Sequence, residues 1–232
     1  MEIQRETSEQ GVLTLTLDDG NKNTLTPEAF EGMIAALDEE TEARAIVLTG
    51  REGVFSAGLD LAWLQSHGVE GLHVILPALG RCAMRWWTEP RPTVCAATGH
   101  AIAAGTILAM ACDHAVAAAG HWWGLTETRI DFQLPEFAIT LARHNLPAHR
   151  LEDLLLPGER LDAADAAEAG FADEVVIPDR VLARAQERAA TLAELPPRAY
   201  AGNKRRLRGA DADAALAGLA ADIERLAGGA RA

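Results

Sequence analysis

Two turns rich in small residues are the first places in this sequence where chemistry could occur. The first turn, FSAGLDL at 55–61, follows a short apolar run at 45–50, and the second, GHAIAAGT at 99–106, follows the run TVCAA at 93–97. Small side chains let a ligand come close to the backbone, and free amides at the start of a helix attract negative charge. Neither turn has the spacing of a dinucleotide-binding fingerprint or of a P-loop.

The two turns are more informative as a pair than either is alone. Ligands of open α/β sheets bind at the carboxyl ends of parallel strands, which is where both turns are predicted to lie. Two amides that converge on one oxygen form an oxyanion hole, and losing one such donor costs about 2.7–4 kcal/mol of transition-state stabilisation. Each turn taken alone is also typical of an ordinary connection from strand to helix, with Asp60 as a helix cap. The pair therefore predicts a site that stabilises an oxyanion.

Carboxylates that follow the second turn are the candidate acids and bases. Glu127 lies in the segment GLTET and could transfer protons as a general acid or base, or it could simply pair with Arg129. Asp131 and Glu136 follow shortly after it and are alternative second acids. The sequence therefore predicts one strong candidate, Glu127, and leaves two others open.

Metal and disulfide chemistry are not expected. Cys82, Cys95 and Cys112 are odd in number and have neither CxxC nor Cys/His metal spacing. His100 lies in the second turn, where packing or hydrogen bonding is its expected role, and the other histidines show no ligand spacing. The sequence therefore predicts no metal site and no cofactor.

The elements that must position these residues form an α/β pattern in the first part of the chain. Short apolar segments predict buried strands at 11–17, 45–50, 93–99 and 113–119, and helical periodicity predicts helices at 27–37, about 62–88 and about 104–112. Strand, helix and strand in that order indicate a βαβ unit with a parallel sheet. Both small-residue turns then follow strands of that sheet.

The last part of the chain is predicted to be helical. Helices are expected at 134–156, 162–170, 178–195 and 197–227, separated by proline or glycine. We therefore divide the chain into a sheet-bearing core at 1–195 and a C-terminal helical region at 196–232. The apolar face formed by Leu216, Leu219, Ile223 and Leu226 needs a cover, which suggests oligomerisation.

Composition excludes several classes of protein. The chain has 232 residues, is 49% hydrophobic and carries a formal net charge of -13, which argues against a general nucleic-acid binder. The N-terminus has no basic and apolar leader pattern, and no apolar run approaches the length of a membrane helix. A soluble, cytoplasmic globular protein is the expectation.

Four segments together resemble the crotonase family, also called the enoyl-CoA hydratase/isomerase superfamily. These segments are FSAGLDL, GHAIAAG with LAMACD, GLTETRI and LDAADAAEAGFADEVV, in the family's order and spacing over roughly residues 10–208. The resemblance implies an α/β fold with a crotonase-like ββα spiral core and a C-terminal helical oligomerisation region. It also implies an acyl-CoA substrate, coenzyme A entering only as part of that substrate, and a homotrimer or a dimer of trimers.

The resemblance also assigns roles to individual residues. The oxyanion hole would be formed by the amides of Leu59 and Ala104, and Glu127 would be the catalytic carboxylate. The positions that match the family's substrate-binding segments are Ala57, Asp60, Leu61, Ala103, Ile107 and Thr126.

One departure from the family pattern bears on the reaction. Family hydratases use two glutamates, and the position of the first is Ile107 here, whereas Glu127 keeps the second. This combination resembles the Δ3,Δ2-enoyl-CoA isomerases, in which one carboxylate moves a proton from C2 to C4 of a 3-enoyl thioester. Hydration, hydrolysis or decarboxylation aided by Asp131 or Glu136 stays an alternative, as does a catalytically silent acyl-CoA-binding subunit.

A basic segment near the C-terminus is the candidate site for the CoA phosphates. Residues 198–208 contain four arginines and Lys204 but no acid, and in the family this region packs near CoA. Lys204 is the expected phosphate contact, although a solvated helix face is an equally good interpretation of the segment.

Overall fold

The structure is a computed structural model that describes residues 1–229. The last three residues of the predicted C-terminal region, 230–232, lie outside the described residues. The boundary predicted between 195 and 196 falls in the short connection between the last two helices.

The described chain alternates strands and helices as far as residue 111 and becomes mainly helical after residue 130. The strands are β1 (Glu2–Thr7), β2 (Val12–Asp18), β3 (Thr24–Leu25), β4 (Ala45–Gly50), β5 (Gly58–Leu59), β6 (Thr93–Ala97), β7 (Ala101–Ile102), β8 (His114–Ala118), β9 (Trp122–Gly124), β10 (Leu161–Asp162) and β11 (Glu174–Val176). The helices are α1 (Pro27–Glu39), α2 (Leu61–Trp87), α3 (Ala104–Ala111), α4 (Glu136–Asn145), α5 (Leu151–Leu155), α6 (Ala163–Ala169), α7 (Val181–Ala193) and α8 (Pro197–Gly229). Short 3-10 turns lie at Glu127–Ile130, Ala148–Arg150 and Pro178–Arg180.

The main sheet has the strand order β1-β2-β4-β6-β8-β11. All neighbouring strands are parallel except β1, which pairs with β2 in the antiparallel sense. The four predicted strands and their parallel arrangement are confirmed. The sequence EIQRET gave no sign of β1, because this edge strand is polar and largely exposed and so lacks an apolar pattern.

Short strands follow four of the main-sheet strands and form two small sheets. β3 and β5 follow β2 and β4 and pair with each other, whereas β7 and β9 follow β6 and β8 and pair with each other, with β10 on the other side of β9. A bridge between Ser56 and Ala101 joins the segments that contain β5 and β7. This repeat brings the two small-residue turns next to each other, although 37 residues, 62–98, lie between them in the sequence.

The main sheet is covered on both faces. One face packs against α7, where Val47, Val94 and Val116 meet Val181 and Ala185. The other face contributes to a larger core with α1, α2, α3 and α4. Alternate residues of the parallel strands therefore enter two separate cores, which explains why these strands are apolar throughout.

The prediction of one continuous helix at 134–156 is wrong, because the segment forms two helices, α4 and α5, with a break between them. α4 ends at Asn145, Leu146 has the extended ψ of 147°, and Pro147 precedes a 3-10 turn that leads into α5. Proline lacks an amide hydrogen and disfavours the helical conformation of the residue before it, so the helix stops there. The helix predicted at 178–195 likewise begins as a 3-10 turn before α7.

The apolar face of α8 is covered by the chain itself. Leu219, Ile223 and Leu226 are buried in the core that also contains residues of α2 and α4. Leu216 remains 39% exposed. The argument that this face needs a partner subunit is therefore wrong, and oligomerisation stays a prediction that rests on the resemblance.

The helix α2 contains a sharp kink close to its start. Gly68 has φ of 56° and ψ of -146°, which separates Leu61–His67 from the rest of the helix. The first segment folds back against the second. A Cβ atom placed on Gly71 would lie only 3.2 Å from the Trp63 ring. Asp60 caps this segment by accepting a hydrogen bond from the amide of Trp63 at 2.9 Å, which is the alternative role that the sequence offered for it beside substrate binding. Within residues 1–229, none of the helices has both the length and the apolar character needed to cross a membrane.

Candidate active site

Glu127 begins the 3-10 turn that follows β9, and its carboxyl group is almost completely buried. The residue is 7% exposed, and within the described residues its Oε2 atom has no hydrogen-bond partner. Burial raises the pKa of Glu127 to about 7, and a hydrogen bond from its own amide offsets this only in part. A carboxyl group with a pKa near neutrality and an unpaired oxygen is suited to accepting and returning a proton.

Glu127 faces a small cavity, about 50 Å³ in volume or about 440 Å³ with its open mouth, whose other lining residues are apolar. The residues that the resemblance assigns to the oxyanion hole, Leu59 and Ala104, line this cavity together with Ile107. The helix α2 contributes Leu61, Leu64, Leu76 and Leu79, and the segment after Glu127 contributes Ile130, Phe132 and Pro135. The structure thus brings four of the predicted site residues, Leu59, Ala104, Ile107 and Glu127, into one cavity wall.

The first small-residue turn lies directly against the second. Gly58 has φ of 93°, and a Cβ atom there would lie 3.0 Å from the carbonyl oxygen of Ile102 and 3.5 Å from the Ala104 nitrogen. The amide of Ile102 donates to the carbonyl of Ser56 at 3.1 Å, which joins the two turns. Glycine is therefore needed at 58 for both its conformation and its lack of a side chain.

Ala103 directs the second turn into α3. It has φ of 52° and ψ of -118°, a conformation that residues other than glycine rarely adopt. Its amide donates to the carbonyl of Gly124 at 2.8 Å, and α3 begins at the next residue, Ala104. The amides of the first helical turn have no partners within the helix, so the Ala104 amide is available at the cavity wall.

Two buried hydroxyl groups hold these turns, and the sequence analysis missed both. The Thr106 hydroxyl donates to the carbonyl of Ala101 at 2.6 Å and accepts from the amide of Gly124 at 3.2 Å. The Ser56 hydroxyl donates to the carbonyl of Asn23 at 2.8 Å. Hydroxyl residues within small-residue turns gave no signal of their own, because their partners are distant in the sequence.

Of the other predicted substrate-binding residues near the turns, Leu61 lines the cavity, whereas Ala57, Asp60 and Thr126 are not among its lining residues. Leu61 is half exposed at its mouth, and Thr126 is buried next to Glu127. Ala57 is exposed, and its amide donates to the carbonyl of Lys22 at 3.0 Å. Asp60 is the cap of α2, so its carboxylate is already engaged.

Lys204 does not offer a free ammonium group. Its side chain is 5% exposed, and Nζ donates to Asp113 at 2.5 Å and to the carbonyl of Arg91 at 2.8 Å. Burial lowers the pKa of Lys204, against the opposing effect of Asp113. Asp113 follows the C-terminal end of α3, whereas Ala104 is at its N-terminal end. The expected phosphate contact of Lys204 therefore has no support in this geometry.

Asp131 and Glu136, the alternative second acids, do not line the cavity. Asp131 is exposed and adopts a left-handed conformation that ends the 3-10 turn. Glu136 is exposed and pairs with Arg143 at 2.8 Å. His100 has the expected hydrogen-bonding role, since its Nδ1 accepts from the amide of Trp122 at 2.9 Å, and burial lowers its pKa.

The fold and the site together define the class of protein. Four main-sheet strands, β2, β4, β6 and β8, are each followed by a short strand and then by a helical segment, and two small-residue turns meet beside a buried carboxylate. This arrangement is a crotonase fold. The sequence profile of the family described as enoyl-CoA hydratase/isomerase matches residues 7–227, and the chain belongs to this family.

Relatives and solved structures agree on the family and differ in the reaction that they name. A Thermus thermophilus protein named "Putative enoyl-CoA hydratase" is 34% identical over 201 residues, covering 84% of this chain and 79% of its own. A Mycobacterium tuberculosis protein, named an enoyl-CoA isomerase in one solved structure and a probable enoyl-CoA hydratase in another, superposes in the first with a TM-score of 0.87 at 31% identity, covering 95% of this chain and 98% of its own. Human mitochondrial Δ3,Δ2-enoyl-CoA isomerase has a TM-score of 0.92 at 25% identity, covering 99% and 92%. Most of these names mention a hydratase and some an isomerase, so the names alone do not decide between hydration and isomerisation.

Proposed function

We propose that the protein is an acyl-CoA isomerase that moves the double bond of a 3-enoyl-CoA to the 2-position. The observation that carries the proposal is that Glu127 is the one ionisable side chain of a cavity that is otherwise apolar within the described residues. Ile107 occupies the position at which hydratases of the family have their other glutamate. The site therefore has one group for proton transfer and an apolar residue in place of the second.

The proposed reaction needs only that one carboxylate. Glu127 removes a proton from C2, and the electron pair of the C–H bond is delocalised over the diene and onto the thioester oxygen. The amides of Leu59 and Ala104 stabilise the resulting dienolate. The protonated Glu127 then returns the proton to C4, which leaves the double bond between C2 and C3 and regenerates the carboxylate.

The surroundings of Glu127 favour this shuttle over the addition of water. A pKa of about 7 lets the group exist in both protonation states near neutral pH, so that it can accept a proton and return it. Ile107 is 1% exposed and offers no atom that could orient a water molecule. Hydration usually needs water to be positioned and a proton to be delivered, which two carboxylates share.

Enoyl-CoA hydration is the second candidate, because relatives such as the Thermus thermophilus protein are named for it. It would need Glu127 to act alone or with a group outside the cavity. The two reactions have different products, so one assay distinguishes them.

The test follows the conjugated thioester absorbance of purified protein with 3-hexenoyl-CoA and, separately, with 2-hexenoyl-CoA. We expect the signal to appear with the first substrate and to persist with the second. Glu127→Gln should lower kcat/KM for isomerisation by about 10²–10⁴-fold, because it removes the proton-transfer group.

Two matched controls test the alternative acids. Asp131→Asn and Glu136→Gln replace exposed carboxylates close to Glu127 in the sequence, and both should retain isomerisation within about twofold. Loss of the 2-hexenoyl-CoA signal without isomerisation would assign hydration instead. Binding of both substrates without turnover would identify a silent acyl-CoA-binding subunit, and full activity of Glu127→Gln would exclude the proposed role of that residue.

A further inference from the structure

We propose that Leu76 and Leu79 of α2 form a closed floor beneath Glu127 and restrict the protein to acyl-CoA substrates with short acyl chains. This inference rests on the proposed function only in that the acyl group must enter the cavity beside Glu127. It names the substrate class within the family and the residues that select it.

The exposure of the lining residues shows which end of the cavity is open. Leu61 and Ile130 are 50% and 58% exposed, so they border the mouth. Leu76 and Leu79 are 1% and 2% exposed, so they belong to the buried end of the cavity, as do Ala104 and Ile107 at 1% each. The two leucines are three residues apart in α2 and so lie on the same face of the helix. An acyl chain that enters past the mouth would therefore end against these two leucines.

The floor has solid packing behind it. Gly80 follows Leu79, and a Cβ atom on Gly80 would lie 3.0 Å from Cδ1 of Phe137 and 3.1 Å from Cδ1 of Leu219. Phe137 belongs to α4 and Leu219 to α8, so both helices press against α2 at this level. Because packed interiors resist displacement, the floor cannot retreat to admit a longer chain without a change of side chain.

The side of the cavity nearest the start of α2 is also closed. The kink at Gly68 folds Leu61–His67 back, so that a Cβ atom on Gly71 would lie 2.8 Å from Cβ of His67. Leu64, in the folded segment, lines the cavity. The two segments of α2 are therefore in close contact at His67 and Gly71, beside the part of the cavity that Leu64 lines.

The size of the cavity agrees with a short chain. Its volume is about 50 Å³, or about 440 Å³ when the open mouth is counted. Small-molecule sites commonly measure roughly 300–1,000 Å³, so the space behind the mouth is well below that range. Since the thioester and carbons C2 to C4 must lie beside Glu127, the remaining space holds only a few methylene groups.

The test measures the dissociation constants of saturated acyl-CoAs from two to twelve carbons by isothermal titration calorimetry. Each methylene that enters the cavity should tighten binding by about fourfold, because it is removed from water. For the wild type we expect this gain to stop at about six carbons. Leu76→Ala and Leu79→Ala should extend the gain by about three carbons, the number of side-chain carbons removed.

A filling variant and a matched control complete the design. Leu76→Phe should shorten the limit by about two carbons, and it deletes no packing from the core. Leu72→Ala changes a leucine of the same helix that is 9% exposed but does not line the cavity, so its limit should equal that of the wild type. Acetyl-CoA should bind all four variants equally, which checks that each is folded.

The inference would be overturned by wild-type affinity that keeps rising up to twelve carbons. It would also be overturned if the variants of Leu76 and Leu79 shared the wild-type limit, or if the Leu72→Ala control shifted it equally. These readouts do not depend on turnover. A shifted limit in a protein that fails to isomerise 3-hexenoyl-CoA would therefore support the floor while rejecting the proposed reaction.

Discussion

At the scale of single residues, Glu127 combines three properties that a structural carboxylate rarely has together. It is buried, its Oε2 atom is unpaired within the described residues, and an apolar cavity lies beside it. Buried polar atoms normally have partners, and an exception in a cavity is typical of a functional group. The raised pKa follows from the same burial, so it can be tested by both activity and stability.

The activity test is a pH profile. Isomerisation needs the ionised form of Glu127 as the base, so kcat/KM should rise with pH and reach half its maximum near the pKa of about 7. Initial rates with 3-hexenoyl-CoA between about pH 5 and about pH 9 measure this midpoint. A profile that is already flat above about pH 5.5 would show an unshifted carboxylate.

The stability test also uses Glu127, but here the protonated form of its carboxyl group is the favourable one. The folded-state pKa of Glu127 is raised from 4.5 to about 7, so folding favours the protonated form. Its contribution is therefore fully present below pH 4.5 and is lost as the pH rises through about 7. Because a shift of this size corresponds to ~3 kcal/mol, Glu127→Gln should gain that stability relative to the wild type above about pH 8 and little at about pH 5.

Urea unfolding at the two pH values measures this difference, with Glu136→Gln as the exposed control. A stability difference between Glu127→Gln and the wild type that does not change with pH would contradict the buried, protonated carboxyl group.

At the scale of the elements, the junction between β7 and α3 stores backbone strain. Ala103 has a positive φ that glycine adopts without cost, and it stands just before the amide of Ala104. Such conformations cost about 1–3 kcal/mol in residues with a side chain, and the surrounding hydrogen bonds hold this one in place. The Ala103 amide, bonded to Gly124, is one of them.

Ala103→Gly should therefore stabilise the protein. We expect a gain of about 1 kcal/mol, since the relief of strain exceeds the entropy that glycine loses on folding. In a chain of this length that gain raises Tm by about 2–4 °C, which differential scanning calorimetry can detect.

Gly58→Ala is the opposite change in the facing turn. It should destabilise the protein and reduce turnover, because its Cβ atom would lie 3.0 Å from the carbonyl oxygen of Ile102.

A Tm for Ala103→Gly below that of the wild type would show that Ala103 is not strained.

At the scale of the whole molecule, a buried ionic cluster joins the last helix to the sheet. Asp113 accepts hydrogen bonds from Lys204 at 2.5 Å, from Arg208 at 2.6 Å and from the hydroxyl of Tyr200 at 2.8 Å. It also accepts one from the amide of Thr93 at 2.9 Å. Lys204 and Arg208 of the basic segment 198–208 thus hold α8 against the sheet by pairing with Asp113.

Asp113→Asn should destabilise the fold by about 3–5 kcal/mol, because it leaves buried cationic groups without their counter-charge. The matched control is Asp213→Asn, which breaks an exposed pair with Arg205 and should cost no more than about 1 kcal/mol. Urea unfolding compares the two variants. Equal losses would show that the buried cluster does not stabilise the fold.

The turnover of folded Asp113→Asn should be preserved, since the cluster lies at the opposite end of α3 from Ala104.

The amino-acid sequence by itself determined the parallel strands, the two turns and the carboxylate that follows them. These features depend on local patterns: apolar runs that are buried on both faces, glycines that permit tight turns, and a short segment in which Glu127 has a fixed place. The lack of a carboxylate at Ile107 has a meaning for the reaction only through the resemblance to the family, whose hydratases have a glutamate at this position. The proposed reaction could therefore be stated before the tertiary structure was considered.

Only the tertiary structure decided which charges and apolar faces were already satisfied. Lys204 and Asp113 are 91 residues apart in the sequence, and no local pattern reveals that each is buried against the other. The same holds for the apolar face of α8, which its own chain covers, and for the floor formed by Leu76 and Leu79. Burial and pairing result from contacts between distant segments, so a free lysine and a buried one look alike until the chain is folded.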